Sequence, residues 1–384
     1  MPASLFPLPA DDAANAAAWL PRGGATLQPG AAPLPQPGPG QIVLRNRAVA
    51  INPIDGITQA MGDLIFPWID YPAVLGSDCA GEVVAVGEGV TRFAPGDRAL
   101  GHAVGWDKRW HSAAAGAFQF HTLLFEHMAS PIPPTLSYED ASVLPLALST
   151  AAAGLFEADQ LNLALPTLAP QARNAAVLVW GASTSVGCNG VQLARAAGYT
   201  VFATASPVNW DALRQLGASQ LFDYHNPSVV QDLVAALRGQ NLAGVLAIGE
   251  GSADPCVAIA AASAGARRVA LASTPVSFAE APLSRGRRRW LLATMPRFLL
   301  QTAKTRLMAR LRGVRTSSIL GTNIAANGVS RAIYADFLPS ALAANRYEAA
   351  PPARIVGEGL SAIQPALTTQ RTAKPTRQKP VVRL

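Results

Sequence analysis

The residues best placed to do chemistry are seven in a row, Gly181-Ala182-Ser183-Thr184-Ser185-Val186-Gly187. A glycine at each end of such a turn has its own task. Gly181 lets the chain reverse, and Gly187 lets a following helix pack close to the preceding strand. Backbone N–H groups and a helix N-terminus then converge on one point, which suits a pyrophosphate. The middle glycine of the usual dinucleotide fingerprint is absent. Thr184 and Ser185 stand in its place, with hydroxyls able to donate to phosphate instead. The competing reading is a purely structural strand-to-helix turn.

An NAD ribose 2′-hydroxyl is commonly read by Asp or Glu at the end of the second strand. Here Ser206-Pro207-Val208-Asn209 holds that place. No acid repels a 2′-phosphate, and Ser206, Asn209 and Tyr224 can bond or flank one. No Lys or Arg stands between 206 and 210. NADPH is therefore expected as the cofactor, with NADH the alternative.

These residues require a strand before the turn and a helix after it. AAVLVW (175–180) is a continuous apolar run, the mark of a strand buried on both faces. Asn189–Ala197 reads as the helix, with Gly198 at its C-terminal end. TVFATAS (200–206), LFDY (221–224), AGVLAIG (243–249) and RRVALAS (267–273) repeat as strands. Helical stretches at WDALRQLGA and Val229–Leu237 lie between them. This rhythm predicts an α/β fold with a doubly wound parallel sheet. Earlier, QIVLRNRAVAIN, GEVVAVGEGV and DRALGHAV are short alternating runs broken by Gly, Pro and Asp. They predict a small antiparallel barrel. SSILGTNI (317–324) is expected as the last strand of the sheet. VVRL (381–384) is expected as a barrel strand, with the charges of the basic tail 371–384 solvated.

The chain has 384 residues, 50% hydrophobic and 14% charged, which excludes a disordered solvating chain and suffices for two cores. Cys79, Cys188 and Cys256 form no CxxC pair, which argues against a zinc ribbon and a disulfide scaffold. Met1-Pro2-Ala3-Ser4-Leu5 lacks a basic leader, and Asp11 and Asp12 follow. No stretch approaches the roughly 20 apolar residues of a membrane span. A cytoplasmic protein is the expectation. His102, His111, His121 and His127 lack helical metal spacing and read as structural or surface residues, so no metal is expected.

Charge is uneven. The net is +7, yet residues 276–315 hold ten Arg or Lys against one acid, Glu280. Pro296 is expected to open a helix there, with Met295, Leu299, Ala303, Leu307 and Leu311 recurring every four residues. The insert reads as a solvated helix. The alternatives are contact with an acidic carrier domain, a phosphorylated substrate, anionic lipid or, least of all, nucleic acid.

NPID (52–55), YPAVLGSDCAGEVVAVGEGVTRFAPGDRALG (71–101), LPLALSTAAAGLF (144–156) and GASTSVG (181–187) together resemble the medium-chain dehydrogenase/reductase superfamily. In particular they resemble its zinc-independent enoyl reductase and quinone reductase branch. Ser183-Thr184-Ser185, Ser206-Pro207-Val208-Asn209 and Asp223-Tyr224 look like the trans-acting enoyl reductases and CipB-like oxidoreductases. The resemblance runs from about 40 to 275 and resumes near 316–384. It implies a GroES-like β-barrel catalytic domain (1–148 and 320–384). It also implies a Rossmann NADP(H)-binding domain (149–319) carrying the insert, with nicotinamide and substrate held between the two. It assigns Asn52 and Asp55 to the nicotinamide side and Ser183, Thr184, Ser185 and Val186 to the phosphates. Ser206, Asn209 and Tyr224 go to the adenosine phosphate, and Leu271 and Ala272 to a strand end. Pro145 to Ala152, including Thr150, would line the cleft.

Zinc alcohol dehydrogenases of this superfamily bind catalytic metal through an early Cys and a Gly-His-Glu segment. Here those places read NPID and Gly76-Ser77-Asp78, with neither Cys nor His, and the four-cysteine structural lobe is missing. The natural reaction is then hydride delivery from NADPH to the β-carbon of an enone, enoyl thioester or quinone. The enolate formed needs hydrogen-bond donors and a proton. Positions where relatives carry a Lys or Tyr read Gly56 and Ile57. Asn52, Thr150 and Tyr71 are the remaining donors, with solvent an alternative proton source. Ene or enoyl reduction is the first reading. Quinone reduction on the same scaffold is the second. The third is a cofactor-binding protein whose insert holds a polyanion or a carrier protein. The expected partner is a small unsaturated carbonyl or quinone, free or carrier-bound, and the chain a monomer or homodimer.

Overall fold

Alternating apolar residues in QIVLRNRAVA make one long strand, and that strand organises the first of two structural units. The computed structural model describes residues 14–372 and 378–384. The leader expectation concerns residues 1–13, which lie outside the described residues. One unit, the barrel unit, comprises the described residues within 1–146, 278–293 and 352–384. The other, the sheet unit, comprises 147–277 and 294–351.

In the barrel unit, β1 (Ala16–Leu20), β2 (Gln28–Ala31) and β4 (Ala73–Val74) form a small sheet in the order β2-β1-β4. The long strand, β3 (Gln41–Ala50), pairs antiparallel with β5 (Asp78–Val86) and β7 (His121–Phe125). β5 pairs with β6 (Arg98–His102), and β6 with β8 (Ala129–Pro131). Ile42, Leu44, Val49, Cys79, Val83 and Leu124 bury one face of this sheet. Helix α1 (Pro53–Ile65) begins where the sequence predisposes it. Pro53 needs no N–H at the first position, and Asp55 Oδ2 accepts the Asn52 backbone N–H at 2.7 Å. A short α2 (Tyr138–Ala141) precedes α3 (Pro145–Phe156).

The sheet unit contains β9 (Ala175–Trp180), α4 (Ser185–Ala196), β10 (Thr200–Thr204) and α5 (Trp210–Leu216). It continues with β11 (Gln220–Phe222), α6 (Val229–Ala236), β12 (Asn241–Ala247), α7 (Ala253–Ala262) and β13 (Arg268–Leu271). After helix α8 (Arg287–Leu311), β14 (Arg315–Ser318) completes a six-stranded sheet. Its order, β11-β10-β9-β12-β13-β14, is the doubly wound one, and every pair is parallel. Helices α9 (Gly328–Arg331) and α10 (Leu338–Ala343) follow.

Several details differ from the sequence reading. The segment 320–351 folds with the sheet unit and not with the barrel. Its buried Tyr334 hydroxyl lies 2.7 Å from Ser149 Oγ, and Tyr347 donates to Asn189 Oδ1 at 2.6 Å. The last sheet strand ends at Ser318, and 321–326 is a 3-10 turn, not strand. Helix α4 starts four residues early because Thr184 caps it. Helix α8 starts nine residues before Pro296, which sits inside it on the exposed side. The start is fixed by Arg287, which donates to Gly23 O and Ala60 O and pairs with Asp63. Residues 278–293 accordingly belong to the barrel unit.

The chain returns to the barrel unit through β15 (Ala353–Glu358), α11 (Ile363–Thr372) and β16 (Lys379–Arg383). β16 pairs antiparallel with β3 and parallel with β15, so this sheet is not purely antiparallel. A helix between two strands allows that parallel step. The tail charges are not all solvated. Lys379 is buried, and the half-buried Arg371 donates to Ala279 O and Ala281 O. Among the described residues no helix is long and apolar enough to cross a membrane.

Candidate active site

The parallel sheet gathers the first group of candidate residues. Its register sets Trp180 beside Thr204 and Ala247, and Ala247 beside Leu271. The segments that follow these strand ends therefore emerge along one edge: 181–187, Ser206–Asn209 and Leu271–Ala272. β11 ends beside Thr204 at Phe222, which brings up Tyr224. The Ser206 hydroxyl is 3.4 Å from that of Tyr224. Asn209 is buried, and its Oδ1 has no hydrogen-bond partner among the described residues.

The glycine turn has the shape that a phosphate cradle requires. Gly181 has φ +79°, and a Cβ there would meet Ile248 O at 2.6 Å. A Cβ on Gly187 would fall 2.4 Å from Gly181 O. Thr184 Oγ1 donates to Gly181 O and accepts from the Gly187 N–H. Its single proton is thus used within the turn, which departs from the expectation that it serves a phosphate. The first N–H groups of a helix lack intrahelical acceptors. With Gly187 capped and Cys188 bonded to Thr184 O, helix geometry leaves those of Ser185 and Val186 for a ligand.

The barrel unit holds the second group. Asn52, at the start of α1, donates from Nδ2 to Asp78 Oδ2 at 2.8 Å. Asp78 Oδ1 accepts the Leu146 N–H at 2.6 Å, and Lys379 Nζ pairs with Asp78 Oδ2 and donates to Val143 O. The carboxylate and ammonium are both buried. Nearby Asp55 is buried too, and burial pushes its carboxyl up to about 7. His102 lies across from Asp78 in the sheet, and burial lowers its imidazole to about 4. The Ser77 hydroxyl is buried without a hydrogen-bond partner among the described residues. Tyr71 is half-buried; its hydroxyl lies where a Gly62 Cβ would meet it at 2.9 Å, and burial pushes it up to about 12. Thr150, on α3, packs against Gly321, where a Cβ would meet its Oγ1 at 2.6 Å.

A cavity of about 230 Å³ opens in the barrel unit beside Ile69, Asp70, Trp106 and His111. It shares Val74, Leu75 and Trp106 with a narrower cleft that Asp55 and Thr58 line. Nearby the Phe66 ring meets Trp68 and Trp106 in tilted contacts, with centroids 5.4 and 5.5 Å away.

Comparison with known proteins matches residues 38–134 to the alcohol dehydrogenase GroES-like domain family. Dehydrogenase pigH of Monascus ruber is 45% identical over 359 residues, covering 93% of this chain and 96% of that protein. The chain belongs to the medium-chain dehydrogenase/reductase superfamily. As a member it is an oxidoreductase with relatives among the enoyl reductases. Trans-enoyl reductase himH of Aspergillus japonicus is 32% identical over 361 residues, 93% of this chain and 94% of that one. The crystal structure of CurK enoyl reductase superposes with a TM-score of 0.69 at 18% identity, over 96% of this chain and 99% of that one.

Among the described residues no three His, Cys, Asp or Glu side chains are grouped to hold a metal ion. Asn52 and Ser77 are neutral oxygen or nitrogen donors, and the Asp78 carboxylate already holds the Lys379 ammonium. Zinc takes Cys, His or carboxylate ligands. One feature of the cluster escaped the sequence reading: Lys379, 301 positions from Asp78. Its only signal was the carboxylate in Gly76-Ser77-Asp78; nothing local pointed to the partner. The loop around 104–120, expected to shape the pocket, supplies the Trp106–His111 wall of the cavity.

Proposed function

We propose that this oxidoreductase uses NADPH to reduce an activated C=C bond of an enone or enoyl thioester, without zinc. The observation that carries the reading is the Asn52–Asp78–Lys379 cluster. Where zinc-dependent relatives bind a Lewis acid, this chain buries an ammonium neutralised by a carboxylate. A carbonyl there would meet hydrogen-bond donors and no polarising metal. Bound NADPH supplies the hydride.

The chain's residues then have separate roles. Ser185 and Val186 N–H groups, Gly181, Ser183 and Gly187 hold the diphosphate, with Thr184 capping the helix beneath it. Ser206, Asn209 and Tyr224 take the 2′-phosphate and its ribose, and the absence of an acid there favours NADPH over NADH. Leu271 and Ala272 border the cofactor. Asp78 fixes the Asn52 amide, whose second N–H is free to serve a developing enolate oxygen. Thr150 is a further donor, and Tyr71 keeps its proton at neutral pH. Asp55 orders the start of α1 beneath the nicotinamide side.

The experiment is NADPH consumption at 340 nm with three acceptors: a simple enone, an enoyl thioester and a naphthoquinone. Turnover of either alkene supports the reading. Turnover of the quinone alone replaces it with quinone reduction. Failure to bind NADPH removes the cofactor assignment.

A further inference from the structure

The second half of α8 presents solvent with a face that the fold does not explain. Its inner side is committed: Thr305 Oγ1 lies 3.1 Å from Asp254 Oδ1, and Ala309 is packed in the sheet unit's core with Val314. On the outer side Leu299, Leu300, Leu307 and Leu311 are 58–76% exposed. At 3.6 residues per turn these four and Ala303 fall within about a third of the circumference. Arg306 lies along one margin of the stripe, Arg310 within it between Leu299 and Ala303, and Arg297 and Lys304 along the other margin. The helix contains no Asp or Glu. Its ion pairs among the described residues are Arg287–Asp63 and Lys304–Asp254, which leaves Arg297, Arg306 and Arg310 outside both.

We propose that this face docks on an anionic phospholipid bilayer, with the leucines at the headgroup–acyl boundary and the arginines on lipid phosphates. The charge and exposed apolar side chains of this face support such docking independently of the reductase reading. Leucines and arginines sharing one exposed helix side suit a membrane interface, because the long arginine stems lie along apolar surface while their heads reach phosphate. The stripe runs about 18 Å along the helix. Between its arginines it offers neither an aromatic anchor nor a neutral hydrogen-bonding side chain, the groups that dominate protein interfaces. A second copy of the chain would set arginine against arginine. A nucleic acid would satisfy the arginines and leave the leucines in water.

The test is flotation of the full chain with phosphatidylserine/phosphatidylcholine vesicles, against vesicles of phosphatidylcholine alone. The chain is expected to float with the anionic vesicles only. Leu300→Gln/Leu307→Gln should reduce that partition at least tenfold. Arg306→Gln/Arg310→Gln should do the same, at about fivefold per arginine. Both pairs are exposed, so the parent melting temperature read on each sample separates lost docking from lost folding. Absence of flotation on anionic vesicles overturns the proposal. So does a leucine pair that floats like the parent, which would reduce the effect to bare charge. Binding of an acidic protein or RNA with vesicles ignored overturns it as well.

Discussion

The glycine turn of the sheet unit and the ion pair of the barrel unit work in opposite ways. The turn acts through backbone: Gly181 and Gly187 are needed for what they lack, since any Cβ would strike a carbonyl within 2.6 Å. The pair, Asp78 and Lys379 with Asn52 bonded to it, acts through side chains from three segments, whose energies depend on burial. A backbone site tolerates change around it and fails when space is filled. A buried charge cluster fails when any one member is removed, because its partner stays behind uncompensated.

That contrast breaks most sharply at Lys379. Lys379→Met should leave Asp78 charged and buried, with a stability loss of about 3–5 kcal/mol in denaturant unfolding. Asp78→Asn combined with Lys379→Met should recover part of the loss, because the amide carries no charge and its oxygen still accepts the Leu146 N–H. Equal losses in the single and double variants would show that the pair is not the source. Asp55 gives the next largest effect. Its carboxyl titrates near 4 when unfolded and at about 7 when folded, so the native state binds the extra proton between those values. Stability from this group is therefore full below about pH 4 and declines as pH rises through 7, by up to about 4 kcal/mol. Asp55→Asn should flatten that slope in unfolding measured from pH 4 to 8.

On the turn side, Gly187→Ala should weaken NADPH binding more than tenfold, on the order of 1.4 kcal/mol or more. NADPH fluorescence titration reads this directly. The smallest effect belongs to Tyr224→Phe, which removes one exposed hydroxyl. It should weaken NADPH by about threefold and leave NADH unchanged. An equal loss for both nucleotides would move Tyr224 away from the 2′-phosphate.

The two regions also differ in how far the sequence disclosed them. AAVLVW followed by GASTSVG announces strand, turn and helix, because neighbours along the chain are neighbours in space. The strand order follows from repeating that unit. Lys379 was indistinguishable from the other cations of a basic tail, because its burial depends on β16 pairing with β3, a contact between residues more than three hundred positions apart. Segment 320–351 joined the sheet unit for a similar reason. Tyr334 and Tyr347 find Ser149 and Asn189 only once α3 and α4 are in place. Pro296 reads as a helix start by its type alone, whereas Arg287, held by two carbonyls and Asp63, sets the start nine residues earlier.

Isotope transfer tests the central claim most directly. NADPH deuterated at the transferable C4 position would be incubated with the chain and an enoyl thioester, and the product analysed by mass spectrometry. The account predicts one deuterium on the β-carbon and a solvent-derived proton on the α-carbon. Oxidation of NADPH with no deuterium in the product, or label absent from the β-carbon, would contradict it.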